Sequence, residues 1–129
     1  MKIVVKAIIR KSDRYLLQLR DNLPEIVYPN CWSFFGGELK NNETYWQGLK
    51  RELNEEIRWI PNQGTYSHCT KNNEIKCIVH YYLLDFKYDE TRLVLNEGQD
   101  LGWFSLNEIT KLNAPFVYDT ILKSKGDFK

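Results

Sequence analysis

The chain has 129 residues, of which 43% are hydrophobic and 14% are aromatic, and its formal net charge is +1. This length suffices to bury one good hydrophobic core, so we expect a single globular domain spanning residues 1–129. A net charge this close to zero offers no electrostatic basis for binding a long nucleic acid or an anionic membrane, so any phosphate binding must be local.

The first predicted elements form a β-hairpin. Residues 3–9 and 15–19 are rich in β-branched and apolar types, and residues 11–14 between them are typical of a turn. The opening apolar run is too short to span a bilayer and no small-residue cleavage site follows it, so the cytoplasm is the expected compartment. The three cysteines lack the paired spacing of a zinc or redox site and are expected to be free thiols.

The segment 21–42 has an irregular composition. It contains two prolines and the pair Gly36-Gly37, which favour turns and loops. Trp32, Phe34 and Phe35 within it are apolar enough to be anchored to a core. We therefore predict a structured loop with a short strand around Ser33.

An amphipathic helix is predicted to begin near Thr44 and to end before Pro61. Its apolar residues recur at spacings of three or four and form one stripe toward the core, namely Trp46, Leu49, Leu53 and Ile57. On a helix that advances roughly 100° per residue, Glu52, Glu55 and Glu56 fall within an arc of about 100° on another side. Three carboxylates therefore project from one face.

Three further strands and two short helices are predicted after this helix. Residues 66–70 and 75–86 form a second hairpin, whose long second arm is expected at the centre of the sheet. Residues 102–104 can form another strand, Ser105 and Glu108 have the spacing of a capping box for a helix through Leu112, and a last helix is predicted over 114–123. This order favours an α+β fold or an α/β/α sandwich over a parallel doubly wound sheet.

The clustered carboxylates permit two interpretations. The ordinary interpretation of a Glu-rich helix is a solvated acidic face. Like charges at helical neighbours repel, and pairing with Lys50 or Arg51 would reduce that repulsion. Alternatively, hard divalent cations such as Mg²⁺ take oxygen ligands and are commonly held by clustered carboxylates together with substrate phosphates. Gly36-Gly37 favours the second interpretation, because a backbone without Cβ atoms can aim a carbonyl at a metal or let a phosphate come close.

The spacing of these residues is more specific than their clustering. Five residues separate Gly37 from Glu43, seven separate Glu43 from Arg51, and the chain then reads Arg-Glu-Leu-Asn-Glu-Glu. This pattern resembles the signature of the Nudix hydrolases, with six fixed identities and the aliphatic position matched. The flanking strings LLQLRDN, YPNCWSFFGGEL and LNEGQDLGWFSLNEI are similar to those of MutT-like members. The resemblance covers nearly the whole chain and implies an α/β/α sandwich around a mixed β-sheet.

The pattern departs from the signature at its end, where Arg58 replaces the usual glycine and Trp59 the following aliphatic residue. That glycine normally stops the helix in a left-handed turn, which costs a non-glycine residue on the order of 1 kcal/mol. The departure leaves open whether the helix stops there or runs on toward Pro61. The carboxylate face is unaffected.

The resemblance implies specific roles for the matched residues. The Gly36 carbonyl, Glu52, Glu55 and Glu56 become the expected ligands of Mg²⁺, for which Mn²⁺ could substitute. Glu52 is also the expected base that deprotonates the attacking water, and such chemistry suits phosphoanhydride cleavage. Glu97 is expected to bring a further carboxylate from a loop.

The remaining candidates are structural or contact the substrate. Gly37 belongs to the matched motif, and Glu43 and Arg51 are expected to form a couple in which the arginine fork fixes the loop before the helix. Arg20 is expected either to bind a substrate phosphate or to be a plain surface charge. Trp32 is the aromatic residue most expected to stack on a nucleobase, whereas most of its aromatic neighbours are expected in the core.

The resemblance implies hydrolysis of a nucleoside diphosphate linked to another group. The first expectation is a nucleoside triphosphate, possibly oxidised, cleaved to a nucleoside monophosphate and pyrophosphate. A nucleotide sugar or similar diphosphate conjugate is the enzymatic alternative, and a nucleotide-binding or sensing module without turnover is the alternative from another class. The expected partner is a small nucleotide, with no membrane or long nucleic acid, and the chain is expected to be a monomer or a homodimer.

Overall fold

The computed structural model describes residues 1–129, and a seven-stranded mixed sheet forms its centre. The strands are β1 (Lys2–Lys11), β2 (Arg14–Leu19), β3 (Trp32–Ser33), β4 (Phe35–Glu38), β5 (Thr65–Asn72), β6 (Cys77–Asp85) and β7 (Asp100–Ser105). The helices are α1 (Tyr45–Ile57), α2 (Leu106–Ile109) and α3 (Val117–Leu122), with a 3₁₀ turn at Glu90–Arg92. The predicted α+β class and the sandwich around a mixed sheet are confirmed.

Strand β1 organises the sheet because it pairs with three others. It runs parallel to β6 along nearly its whole length, while its other edge is shared by β4 near the start and β2 near the end, both antiparallel. The predicted hairpins β1–β2 and β5–β6 are both present, and β6 lies between β1 and β5 as expected for a central strand.

Helix α1 covers one face of the sheet, as its apolar stripe predicted. Its buried residues Leu49, Leu53 and Ile57 pack with alternate residues of β1 in one hydrophobic cluster. A capping box starts the helix: Gln47 N–H donates to Thr44 Oγ1 at 3.1 Å, and Thr44 N–H donates to Gln47 Oε1 at 3.0 Å. These bonds satisfy amides that a helix start leaves unpaired.

The opposite face of the sheet is covered by α2, α3 and the chain around Phe34. Ile8 of β1 and Tyr81 of β6 lie in this second cluster with Ile109 and Val117 of the two short helices. Ser105 and Glu108 form the predicted capping box at α2. The sheet is thus enclosed by helices on both faces.

Several predicted boundaries were wrong. The end of α1, which the sequence left open, falls at Ile57, because Arg58 adopts the left-handed conformation at φ 55° and ψ 40° and donates its N–H to Asn54 O. Helix α2 ends at Ile109 rather than Leu112, and α3 begins only at Val117. Strand β4 was predicted as loop, since its two glycines lower strand propensity.

The cysteines agree with the expectation from the sequence. Cys31, Cys69 and Cys77 are all free thiols. None of the helices combines the length and the apolar character that crossing a membrane requires.

Candidate active site

Two glycines in β4 allow close packing, of Gly36 on strand β1 and of Gly37 on helix α1. Gly36 has φ +144°, and a Cβ atom there would lie 2.1 Å from the carbonyl oxygen of Val5. A Cβ atom on Gly37 would lie 2.5–2.6 Å from the carboxylate atoms of Glu52. Any side chain at either position would therefore displace the paired strand or the Glu52 carboxylate.

Glu56 is the buried carboxylate of the site. It is 3% exposed, and the Gly36 N–H donates to its Oε1 at 2.9 Å. Burial raises the pKa of Glu56 to about 8, against the opposing charge of Lys6. An isolated negative charge is thus costly here, and a bound cation would offset that cost.

Arg51 links the loop before α1 to the acidic face of the helix. Its Nε and Nη2 donate to the two carboxylate oxygens of Glu43 at 2.6 and 2.9 Å, which is the predicted bidentate couple. Its Nη1 donates to Glu52 Oε1 at 3.0 Å, and Nη2 also reaches the carbonyl oxygen of Glu38 at 3.2 Å. The hydrogen bond from Arg51 holds the pKa of Glu43 at about 2. The arginine therefore orients Glu52 as well as the loop.

Glu52 is partly screened from solvent. Its side chain is 15% exposed. Burial raises the pKa of Glu52, and the hydrogen bond from Arg51 opposes that rise. A raised pKa makes this carboxylate a stronger base than an exposed glutamate.

The loop that carries Glu97 is bound to the C-terminal end of α1. Asn96 N–H donates to Glu56 O at 2.8 Å, and Asn96 Nδ2 donates to Glu55 O at 3.2 Å. From the other side, Gln18 Nε2 donates to the carbonyl oxygen of Glu97 at 3.1 Å. These bonds satisfy carbonyls at the helix end and bring Glu97 to the acidic face.

Two adjoining cavities meet at the glycine pair. The smaller has a volume of about 260 Å³ and contains the carboxylates Glu52, Glu56 and Glu97. The larger has a volume of about 620 Å³, and Trp32 and Phe34 contribute to its apolar lining. Arg20, Gly36 and Gly37 line both cavities.

An aromatic pair lies beside the larger cavity. The rings of Tyr28 and Phe116 meet edge to face with centroids 5.5 Å apart, and both residues line the cavity. Tyr28 also hydrogen-bonds through its hydroxyl to Glu74 at 3.4 Å and to Asn72 at 3.3 Å. The segment before β3 thereby reaches across to the β5–β6 hairpin.

The structure brings together most, but not all, of the predicted site residues. Glu55 does not line the carboxylate cavity, and its side chain, 47% exposed, lies 3.4 Å from Arg51 Nη1. Across residues 1–129, no group of three or more acidic, histidine or cysteine side chains is already arranged to hold a metal ion. Trp32 is half-buried and packs edge to face on Phe104 at 4.9 Å.

Sequence reasoning missed residues that position the site. Gln18 is 5% exposed, and its signal is a lone amide in the apolar strand Leu16–Leu19. Asn96 precedes Glu97 directly, but its contact with α1 has no local sequence signal. Lys6 is the one cation within the apolar run Ile3–Ile9 of β1.

A carboxylate cavity beside a larger, partly apolar one suits a ligand that joins charged groups to an organic ring. The chain belongs to the NUDIX domain family, whose model matches residues 2–123. Members of this family are divalent-metal-dependent hydrolases.

Two curated relatives have names that describe pyrophosphate chemistry. An 8-oxo-dGTP diphosphatase from Buchnera aphidicola is 28% identical over 113 residues, which cover 88% of this chain and 83% of the relative. An ADP-ribose pyrophosphatase from Methanocaldococcus jannaschii is 28% identical over 125 residues, covering 94% of this chain and 70% of the relative.

A solved structure shows the same architecture. The E. coli ORF135 protein superposes with a TM-score of 0.72 at 28% identity, covering 95% of this chain and 87% of that one. The recognised family and fold therefore agree with the resemblance in the sequence.

Proposed function

We propose that the protein hydrolyses a nucleoside triphosphate, including an oxidised one, to a nucleoside monophosphate and pyrophosphate. The observation that carries this proposal is the junction of the two cavities at Gly36, Gly37 and Arg20. One cavity offers carboxylates for a metal–phosphate cluster, and the other offers aromatic walls and a volume within the usual range for small-molecule sites. The Buchnera relative, named for 8-oxo-dGTP, supports the choice of a triphosphate.

We assign the metal site to Glu52, Glu56, Glu97 and the carbonyl of Gly36. Carboxylate and carbonyl oxygens fit a hard cation, and the buried Glu56 favours one because its charge is otherwise poorly solvated. Mg²⁺ is the proposed ion, with Mn²⁺ able to replace it. Glu55 would join only after its side chain leaves Arg51. The bound cation would supply charge neutralisation at the phosphoryl oxygens.

Glu52 is the proposed general base. One of its oxygens accepts a hydrogen bond from Arg51 Nη1, which fixes the orientation of the carboxylate. The other oxygen accepts no hydrogen bond from the protein and can take the proton of the attacking water. Gly37 leaves the space in which this carboxylate lies.

Arg20 and Trp32 are the proposed substrate contacts. Arg20 lines both cavities, which supports a contact between its guanidinium and a phosphate that lies between them. Trp32 lines the larger cavity and offers an aromatic surface to a base, although part of its ring is used against Phe104.

A diphosphate conjugate such as ADP-ribose is the second candidate. The Methanocaldococcus relative is named for it, and the cavity of about 620 Å³ leaves room beyond a base. The same carboxylates would serve both substrates, because the bond cleaved is a phosphoanhydride in each case.

The test is a substrate screen of the purified protein with Mg²⁺ or Mn²⁺. Ordinary and oxidised nucleoside triphosphates, ADP-ribose, nucleotide sugars and dinucleoside polyphosphates are supplied, and nucleotide and phosphate products are separated and quantified. Release of pyrophosphate from a triphosphate supports the proposal, whereas exclusive cleavage of conjugates favours the second candidate. Binding of nucleotides without turnover of any would identify a sensing module instead.

A further inference from the structure

Lys6 occupies an unusual place for a charged residue. It lies on β1 between Val4 and Ile8, on the sheet face turned away from α1, and both flanking residues pack in or against the hydrophobic cluster there. Its register partners are Gly36 on β4 and Tyr81 on β6. An ammonium group on such a face loses hydration and therefore needs polar partners.

The protein satisfies only part of this need. Lys6 Nζ donates one hydrogen bond, to the carbonyl oxygen of Phe34 at 3.1 Å, and it lies in no ion pair within 4 Å. A lysine ammonium has three N–H donors. Two donors of this half-buried group therefore have no protein partner.

A second cation with unused donors lies nearby. Arg20 Nε donates to Val27 O at 2.9 Å, while its two terminal nitrogens donate to no protein group. Burial is the main cause that lowers the pKa of Lys6 to about 8, and the charge of Arg20 is the next. Both side chains line the larger cavity beside Gly36 and Gly37. An anion between the two cations would relieve their repulsion and occupy their free donors.

We infer that Lys6, together with Arg20, binds the phosphate group attached to the nucleoside and so selects nucleotides over nucleosides. This inference rests on the proposed function, which sets how the substrate is oriented across the two cavities. The phosphate at that point joins the base in the larger cavity to the phosphates among the carboxylates. Lys6 lies opposite Gly36 in the sheet. Because glycine has no side chain, none stands between Lys6 and Gly36 at that position.

A competing role for Lys6 is that of a counter-ion to Glu56. The positive charge of Lys6 lowers the pKa of Glu56 against the effect of burial. In that role alone, removing the ammonium would alter the affinity for Mn²⁺ but would leave the preference for phosphorylated ligands unchanged. The two roles therefore have different readouts.

The experiment compares ligand binding in EDTA at pH 7, where no metal contributes. Affinities of the wild type and of Lys6→Met are measured by calorimetry for the common nucleoside 5′-monophosphates and for the corresponding nucleosides. We expect the wild type to prefer the monophosphate at least tenfold, and Lys6→Met to lose about tenfold of that preference with nucleoside affinity retained. Lys6→Arg should keep most of it.

Lys11→Met is the matched control. Lys11 is a lysine on the same strand that lines neither cavity, so its loss changes the net charge equally without touching the proposed site. Equal loss of the preference in Lys11→Met and Lys6→Met would assign the effect to overall charge and overturn the inference. If Lys6→Met fails to fold by circular dichroism, Lys6→Gln replaces it.

The outcomes separate this inference from the proposed function. An unchanged preference in Lys6→Met, or no preference in the wild type, overturns the role of Lys6 even if triphosphates are hydrolysed. Failure of the wild type to hydrolyse any nucleotide, with the preference lost in Lys6→Met, overturns the proposed function and leaves the role of Lys6 standing.

Discussion

The backbone N–H of Asn96 donates to the carbonyl oxygen of Glu56 at 2.8 Å. This bond attaches the loop before β7 to the last turn of α1, and the next residue along the loop is Glu97. Asn96 Nδ2 also donates to Glu55 O, and Val94 N–H donates to Ile57 O at 3.1 Å, so the acidic face of the helix and the loop carboxylate should respond together when either is disturbed.

Glu97→Gln should reduce turnover about tenfold to a thousandfold, a loss of roughly 1.4–4 kcal/mol of transition-state stabilisation. The amide keeps the size of the side chain but removes a charge from the carboxylate cavity. The melting temperature should change little, because Gln18 and Asn96 hold the backbone of this loop. Wild-type kcat and KM across a Mg²⁺ titration would exclude Glu97 from the site.

Glu52→Gln and Glu56→Gln should each lower kcat by at least about a hundredfold while the fold survives. Each change removes a negative charge next to the glycine pair, and Glu52→Gln also removes the proposed base. Steady-state kinetics at saturating Mg²⁺ and circular dichroism would check this expectation. Glu90→Gln, a change in the 3₁₀ turn outside both cavities, is the control and should retain full activity.

Without metal, the protein should lose stability as the pH rises from about 5 to 8. Burial raises the pKa of Glu56 from 4.5 to about 8, so the folded state holds a proton that the unfolded state releases above pH 4.5. Raising the pH through this window therefore favours unfolding. The charges of Glu52 and Glu97 act in the same direction, and that of Lys6 opposes them.

Urea unfolding in EDTA at several pH values would measure this slope. Glu56→Gln should flatten it, because an amide does not titrate, and added Mg²⁺ should stabilise the wild type more at pH 8 than at pH 5. Parallel pH profiles for wild type and variant would show that Glu56 is not the responsible group.

Arg51→Lys should lower kcat by about a hundredfold, because a small displacement of Glu52 is costly in a positioned site. An ammonium cannot reproduce the bidentate contact with Glu43 while also reaching Glu52. The melting temperature should fall as well, since the loop before α1 loses its anchor. Lys50→Arg is a matched control on the same helix. Full activity of Arg51→Lys would show that the contact contributes no more than a surface ion pair.

Arg58→Gly should stabilise the protein by about 0.5–1 kcal/mol without altering kcat. Arg58 adopts the left-handed conformation at φ 55°, which glycine adopts without steric cost. Denaturant unfolding measures the gain, and Arg58→Ala, which keeps the Cβ atom, should show none. A destabilised Arg58→Gly variant would mean that the arginine side chain contributes contacts that exceed the backbone strain.

The parts of the site that sequence could predict are those with a local period or spacing. The positions of Glu52 and Glu56 on one helix face follow from helical geometry, and the Arg51–Glu43 couple follows from the matched spacing. Thr44 as the helix start follows from its capping chemistry. Each of these involves residues within about two turns of the helix or its preceding loop.

The parts that could not be predicted depend on pairing across the sheet. Strand β4 forms despite its two glycines, because close packing of Gly36 on Val5 and of Gly37 on Glu52 leaves no room for side chains. The site of Lys6 depends on the register between β1 and β4. Such long-range relationships leave no period in the sequence.

The hydrogen bonds already made by Glu52 and Glu56 affect which cation the site would bind less well. In each carboxylate one oxygen accepts a hydrogen bond, from Arg51 in one case and from the Gly36 amide in the other, and the second oxygen accepts none. Each side chain therefore favours ligation through one oxygen, and in Glu52 the oxygen that accepts from Arg51 keeps a second lone pair for a cation while the other takes the proton of water. Ca²⁺ takes six to eight oxygens and binds carboxylates through one or both of theirs, whereas Mg²⁺ takes six ligands and usually keeps several waters. A site in which each glutamate contributes a single oxygen would supply few of the protein ligands that the larger shell of Ca²⁺ needs, and would suit Mg²⁺ better.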